Sequence, residues 1–407
     1  MYSQETVVAV KPFVRQFDGT EVIIGIIETG VFLAVPAEAV ELLDDLAAGK
    51  SIGETSDLYQ QKHGETPDMN DFLELLEAKG FLQSHEENTA AAVATKTSPP
   101  QTRYHFSNFP QPLAQRLFSY PTYTLCLALI AAAVYAAYLY PSLIAAPADL
   151  YFPDHRALCV TLWVTAGYFT IFLHEMAHLV GARAAGVSSR MGISHRLWYL
   201  VAETDLTGLW ALPKQKRYMP MLAGILLDAA SAALLVLVLL ANQSGWLRLP
   251  VLAVRVLRAL EFTYVMRILW EFFFYVRTDL YYVIATLCNC RNLLGDTRAL
   301  LRNQVARVIP WMQPIDQSGV PERELRFVRW YALLWLGGRI WAVFTLFWIT
   351  VPVAVSYLRV VADAFSSGYA ANPGNFVDAI VMATYFLVPT IAGLVLWLGA
   401  TLRQERI

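Results

Sequence analysis

From about residue 119 onward the chain is dominated by long, nearly uncharged apolar runs, and these limit its fold more than any other feature. Inside a bilayer every backbone polar group must find its partner within the protein, so such runs become helices. Runs near 121–145, 157–181, 219–240, 251–287, 331–358 and 376–402 each reach the roughly 20 residues needed to cross the hydrocarbon layer. Of the 407 residues 56% are hydrophobic and only 16% charged, too few charges for a soluble chain of this length. The expected fold is a polytopic α-helical membrane protein of about six spans, preceded by ordinary soluble sequence. The 251–287 run is the least regular and reads as one bent helix or two short ones.

Basic residues orient these spans. Lys and Arg gather in 183–217 and 291–329 and near residues 403–406, whereas the alternate loops hold few, among them Arg156, Arg248 and Arg359. The basic side is the cytoplasmic one. Residues 1–11 contain no apolar stretch of a signal peptide, so the N-terminal part is expected in the cytoplasm. A net charge of −2 gives no case for nucleic acid. Cys126, Cys159, Cys288 and Cys290 lie mostly in apolar runs, which argues against a disulfide framework. Cys288 and Cys290 read as small buried residues near a helix end.

The second apolar run carries His174-Glu175-Met176-Ala177-His178. On a helix this spacing sets two imidazoles one turn apart on one face with a carboxylate beside them, the arrangement of two zinc ligands and a general base. Ionisable groups at membrane depth are costly and therefore candidates for function. A hydrolytic zinc site takes a third protein ligand and leaves a fourth position open. Asp279, Asp228, Glu261, Glu271, Asp205 and His195 are the candidates. Arg255, Arg258, Glu261, Arg267 and Glu271 recur at three- to four-residue spacing and read as a stripe of mutually paired charges. Residues 186–212 alternate apolar and polar side chains and are expected to form strands, able to pair with an extended substrate.

The first 84 residues form a domain of their own. Residues 6–17 and 21–27 are β-rich and meet at a turn, Asp18-Gly19, and 30–35 offer a third strand. Helical patterns follow over 36–48, 51–63 and 68–79, stopped by Gly49, Gly64 and Gly80. Residues 85–103 are a linker, and 104–407 form the membrane domain. Gly30-Val-Phe-Leu-Ala-Val35, Ala39-Val-Glu-Leu-Leu43 and Phe72-Leu-Glu-Leu-Leu-Glu-Ala-Lys-Gly-Phe-Leu82 resemble the PqqD-like winged helix, a recognition module for precursor peptides. The resemblance implies a leader peptide added beside the third strand. It would lie against the third helix, with Val31, Phe32, Leu33, Phe72 and Leu76 as the contact residues.

His174-Glu-Met-Ala-His-Leu-Val-Gly-Ala-Arg-Ala-Ala-Gly186 resembles the site-2 protease family of intramembrane zinc metallopeptidases, in particular its peptide zinc metalloprotease subgroup. Tyr275-Val-Arg-Thr-Asp-Leu-Tyr-Tyr282 matches the third-ligand motif, and 203–217 with 222–225 add to the likeness. Leu280 stands where the family has glycine after the aspartate, and the family's preceding Asn-Pro is absent. The resemblance implies zinc held by His174, His178 and Asp279 with Glu175 as general base. It leaves Asp228 as a non-ligand acidic position.

Together the two resemblances imply an intramembrane zinc endopeptidase of the bacterial cytoplasmic membrane. It would cleave a precursor captured through its leader, in maturation of a ribosomally made peptide or bacteriocin, with an exporter or modifying enzyme as a further partner. One alternative is a non-catalytic peptide-binding pseudoprotease. Another is a regulatory site-2 protease that cuts a membrane-bound transcription-factor inhibitor.

Overall fold

Strand alternation explains the N-terminal fold. In the computed structural model β1 (Val14–Asp18), β2 (Glu21–Ile26) and β3 (Val31–Pro36) form an antiparallel sheet in that order. The structure describes residues 2–18, 21–26, 29, 31–82, 104–150, 156–196, 199–290, 292–309, 311–345, 347–348 and 351–404. Val22, Ile24 and Ile26 of β2 and Val31, Leu33 and Val35 of β3 turn to one face. There they meet Val40, Leu43, Leu76 and Phe81 from α1 (Ala37–Ala47), α3 (Met69–Ala78) and the residues after it. On the other face Phe32 stands opposite Gly25, and its ring fills the space that a side chain at position 25 would need.

α2 (Ile52–His63) starts at a capping box, in which the Ser51 hydroxyl accepts from the Glu54 N–H and the Glu54 carboxylate accepts from the Ser51 N–H. It stops at Gly64, whose φ of 77° suits a residue without a Cβ. A second apolar cluster, Leu42, Leu46, Ile52, Met69 and Leu73, joins the three helices. The expected strand over 6–17 begins only at Val14. The residues before it bond elsewhere: Ile52 N–H donates to Thr6 O, Gly53 N–H to Gln4 O and Lys11 N–H to Phe81 O. Gly19, Gly30 and the linker residues 85–103 lie outside the described residues.

The rest of the chain is almost entirely helical. β4 (Tyr104–His105) precedes α4 (Gln111–Leu117), α5 (Tyr120–Leu139) and the 29-residue α6 (Arg156–Ala184). β5 (Arg190–Arg196) and β6 (Tyr199–Asp205) follow, then α7 (Lys214–Gln243), α8 (Val251–Trp270) and α9 (Asp279–Leu287). α10 (Leu293–Ala306), α11 (Glu322–Thr345), α12 (Val351–Ser367) and α13 (Pro373–Gln404) complete the chain. The strands form a second sheet in the order β4-β5-β6, so residues 186–212 do contain the expected strands. The 251–287 run is two helices. The 331–358 run is divided between α11 and α12, where Pro352 sits in the first turn of the second helix. Two helices among the described residues are long and apolar enough to cross a membrane, Gln111–Leu139 and Lys214–Gln243.

The chain separates into two compact units. One comprises residues 1–103, 187–189 and 205–218, the other 104–186, 190–204 and 219–407. Within the first, a 3-10 turn at Thr207–Ala211 lies against β1 and β2, and its Leu209 has no exposed surface. Arg217 closes this turn: its guanidinium donates to Leu212 O and Trp210 O and stands over the Trp210 ring.

Candidate metal centre

α6 brings His174 and His178 to one face, one turn apart, and both are buried. Each ring is fixed through its outer nitrogen. His174 Nδ1–H donates to Asp228 Oδ2 at 2.7 Å, and His178 Nδ1–H donates to Pro220 O at 2.8 Å. The inner nitrogens then face each other, Nε2 to Nε2, at 3.1 Å. Asp279 Oδ2 joins them, 3.0 Å from His174 Nε2 and 2.7 Å from His178 Nε2. Two imidazoles whose Nδ1–H groups are given to oxygen acceptors offer Nε2 lone pairs, the usual state of metal-ligating histidine.

α7 supplies the outer partners from one stripe. Pro220, Gly224 and Asp228 recur every four residues, and the middle position has to be small. A Cβ on Gly224 would fall 2.4 Å from His174 Nε2 and 2.5 Å from His178 Nε2, against both imidazole ligand atoms. Gly181 on α6 allows the same approach, because a Cβ there would meet Pro220 Cα at 3.1 Å. Small residues are what let two helices come this close.

Asp279 reaches the cluster because the helix breaks ahead of it. α8 ends at Trp270, Arg277 takes a left-handed backbone with φ 61°, and α9 begins at Asp279 itself. Glu271 bridges the break. Its Oε2 accepts from the Asp279 N–H at 2.9 Å, and its backbone O accepts from Thr278 Oγ1 at 2.6 Å. The flexible glycine and the Asn-Pro that the resemblance leads one to expect are replaced by this left-handed arginine and the buried Glu271.

No family model, curated protein or solved structure matches this chain.

The donor set of His174, His178 and Asp279 fits a metal ion; its ligand atoms lie within 4.8 Å of one another. Two imidazole nitrogens and one carboxylate oxygen are donor types that divalent transition-metal ions take. The rival carboxylates are engaged elsewhere. Asp228 sits on the far nitrogen of His174 and 2.8 Å from Arg267 Nε. Glu261 accepts from the Ala145 N–H, and Asp205 Oδ1 accepts from Thr207. The side chain of His195 lies outside the described residues, as do His85 and His155. The close ion pairs and bonds seen for these charges run to other elements: Arg258 to Asp149, Arg267 to Asp228 and Glu271 to the start of α9.

Glu175 is held by β6. Its Oε2 accepts from the Thr204 N–H at 2.9 Å, and the Thr204 hydroxyl donates to Glu175 O at 2.9 Å. Thr204, Gly224 and Pro220 escape sequence reasoning, and Arg267 enters it only as part of a charged stripe, without its partner Asp228. The four-residue repeat of Pro220, Gly224 and Asp228 on an apolar helix is the signal that points to α7.

In the N-terminal domain, Val31 and Leu33 pack onto the core and Leu76 is fully buried in it, so Leu76 presents no surface to a peptide. Phe72 lies between the two clusters, and Phe32 covers Gly25. What β3 does offer is a backbone edge, since among the described residues it pairs only with β2.

Proposed function

We propose that this chain is a membrane-embedded zinc endopeptidase that processes a peptide captured by its N-terminal domain. The observation that carries the reading is the convergence of His174 Nε2, His178 Nε2 and Asp279 Oδ2, with Glu175 next in sequence to the first ligand. A bound divalent ion would supply Lewis acidity to a scissile carbonyl and lower the pKa of water towards about 7. Asp228 and Pro220 hold the ligand rings. Glu175 takes the proton from the attacking water and delivers it to the leaving amine. For that it must leave the Thr204 N–H. The edge of β3 binds an extended leader by main-chain hydrogen bonds, and the chain between the two domains keeps the captured precursor at high local concentration.

The membrane setting is supported by the two apolar helices and by Leu125, Leu127 and Val134, exposed along α5. The proposed arrangement is multi-pass in a bacterial cytoplasmic membrane, with about six spans and the N-terminal domain in the cytoplasm. An exporter or peptide-modifying enzyme is the natural partner. A second reading, a non-catalytic peptide-binding relative, is favoured by the bond that ties the Glu175 carboxylate to β6.

Metal content and cleavage separate the two. The wild-type chain in detergent is expected to hold about one zinc per molecule, and Asp279→Ala to lose it. In proteoliposomes with a panel of membrane-associated peptides, Glu175→Gln should keep the zinc and lose cleavage. A protein that holds zinc yet cuts nothing in any Glu175-dependent way supports the binding protein instead. Absence of zinc after zinc is supplied ends the metalloprotease reading.

A further inference from the structure

Two buried charges stand beside the cluster, and one of them, Asp228, holds the His174 ring. Asp228 is 1% exposed on α7, and the Arg267 side chain on α8 retains 14%. Asp228 Oδ2 lies 2.7 Å from His174 Nδ1 and 2.8 Å from Arg267 Nε, and Arg267 stands over the Tyr264 ring at 5.0 Å. Among the described residues Asp228 Oδ1 has no hydrogen-bond partner. A buried carboxylate with spare acceptor capacity next to two candidate ligands is a rival for the metal, unless something holds it away.

We infer that Arg267 and Asp228 are a positioning pair for His174, which fixes the nitrogen that faces the cluster and strengthens it as a donor. The inference rests on the reading that the cluster binds a divalent metal. An imidazole can present either nitrogen, and a carboxylate on Nδ1 decides the matter because it can only accept. Asp228 thus holds a proton on Nδ1, and Nε2 is the nitrogen turned to His178 and Asp279, free to bind an ion once it gives up any proton it shares with Asp279. A carboxylate partner also raises the basicity of the ligating nitrogen. His178 has the weaker version, a neutral carbonyl at Pro220, so the two ligands are unequal by construction. Among the described residues the Arg267 Nε and Nη2 have no hydrogen-bond partner. Arg267 opposes any turn of Asp228 towards the cluster by charge alone, because that turn would separate a buried ion pair. This accounts for Asp279, and not Asp228, as the third member.

The test uses the full chain in detergent micelles and two readouts. Zinc affinity is measured by competition with a chromophoric chelator. The tautomer of His174 in the metal-free protein is read from 15N-histidine spectra assigned with His174→Gln. Asp228→Ala is expected to lose the Nδ1–H tautomer and to weaken zinc by about 10- to 100-fold. Asp228→Asn, whose amide oxygen still accepts, should recover most of both. Because Asp228→Ala strands Arg267, the double variant Asp228→Ala/Arg267→Met gives the same comparison without an unpaired buried charge. An unchanged tautomer together with unchanged zinc affinity in the double variant overturns the inference. A wild-type chain that takes up no zinc removes the metal reading, and the tautomer comparison then decides the orientation claim alone.

Discussion

Gly224 carries the sharpest prediction of any single residue. Alanine is the better helix former by about 1 kcal/mol, but a Cβ here overlaps both imidazoles and such overpacking costs about 1–3 kcal/mol, so Gly224→Ala should lower the thermal stability of the metal-free chain modestly. The same methyl group lands against both imidazole ligand atoms. Zinc retention should therefore be lost while the fold persists, a separation that metal analysis beside a melting curve would show. A variant that keeps its zinc contradicts the site. His174, His178 and Asp279, which the structure brings together, were legible in the sequence, because a motif spacing or a charge within an apolar run marks each of them. The partners that orient them were not. Which face of α7 meets α6 depends on how small residues let the helices approach, and the four-residue repeat of Pro220, Gly224 and Asp228 marks that face only once the partner helix is known.

At the scale of elements, the break between α8 and α9 is the device that delivers Asp279. Glu271 caps the first N–H of α9, and loss of such a cap costs about 1 kcal/mol. Glu271→Ala should speed hydrogen exchange over 279–283 and weaken zinc, whereas Glu271→Gln, which retains an acceptor oxygen, should stay near wild type in both. Equal exchange in the alanine variant would refute the capping role. The irregular run 251–287 already read as one bent helix or two short ones, but the position of the break had no marker, since its left-handed residue is an arginine rather than a glycine. The N-terminal elements were far more legible, to within one or two residues for α1, α2 and α3, because a capping box and three glycine stops punctuate them.

α1 and α2 are also clasped at the surface, where Glu41 accepts from Lys62 and His63. The Lys62 bond first, then the His63 bond, holds the Glu41 carboxyl below its ordinary range. Its folded-state value is thus depressed. The contribution is present above the usual carboxylate range and is lost as pH falls through and below it. Hydrogen exchange in α2 should rise on acidification more in wild type than in Glu41→Gln; identical profiles would remove the clasp from the account.

For the whole molecule, the informative fact is that one compact unit is assembled from distant stretches of chain. Residues 205–218 fold with the N-terminal 103, and Leu209 is buried in the turn that lies on β1 and β2. Leu209→Ala should cost about 2–4 kcal/mol and deprotect the amides of β2, although it lies nearly two hundred residues away along the chain. If β2 exchange is unaffected, the turn is not part of that unit's core. Composition gave no hint of this assembly. Hydrophobic patterning shows which face of a strand is apolar, but not which remote segment covers it.

The four-residue repeat on α7 sets a further condition on the protein. Pro220, Gly224 and Asp228 act together only because each successive turn of the helix brings the next one to the same side. One extra residue inserted between Gly224 and Asp228 would rotate everything after it by about 100°. Asp228 would then leave His174, and Arg267 would lose its counter-charge, with every original side chain still present. The sequence of this helix is therefore under two separate constraints, identity and phase. A homologue can exchange residues along α7 freely wherever they face away, but it cannot change the number of residues between them.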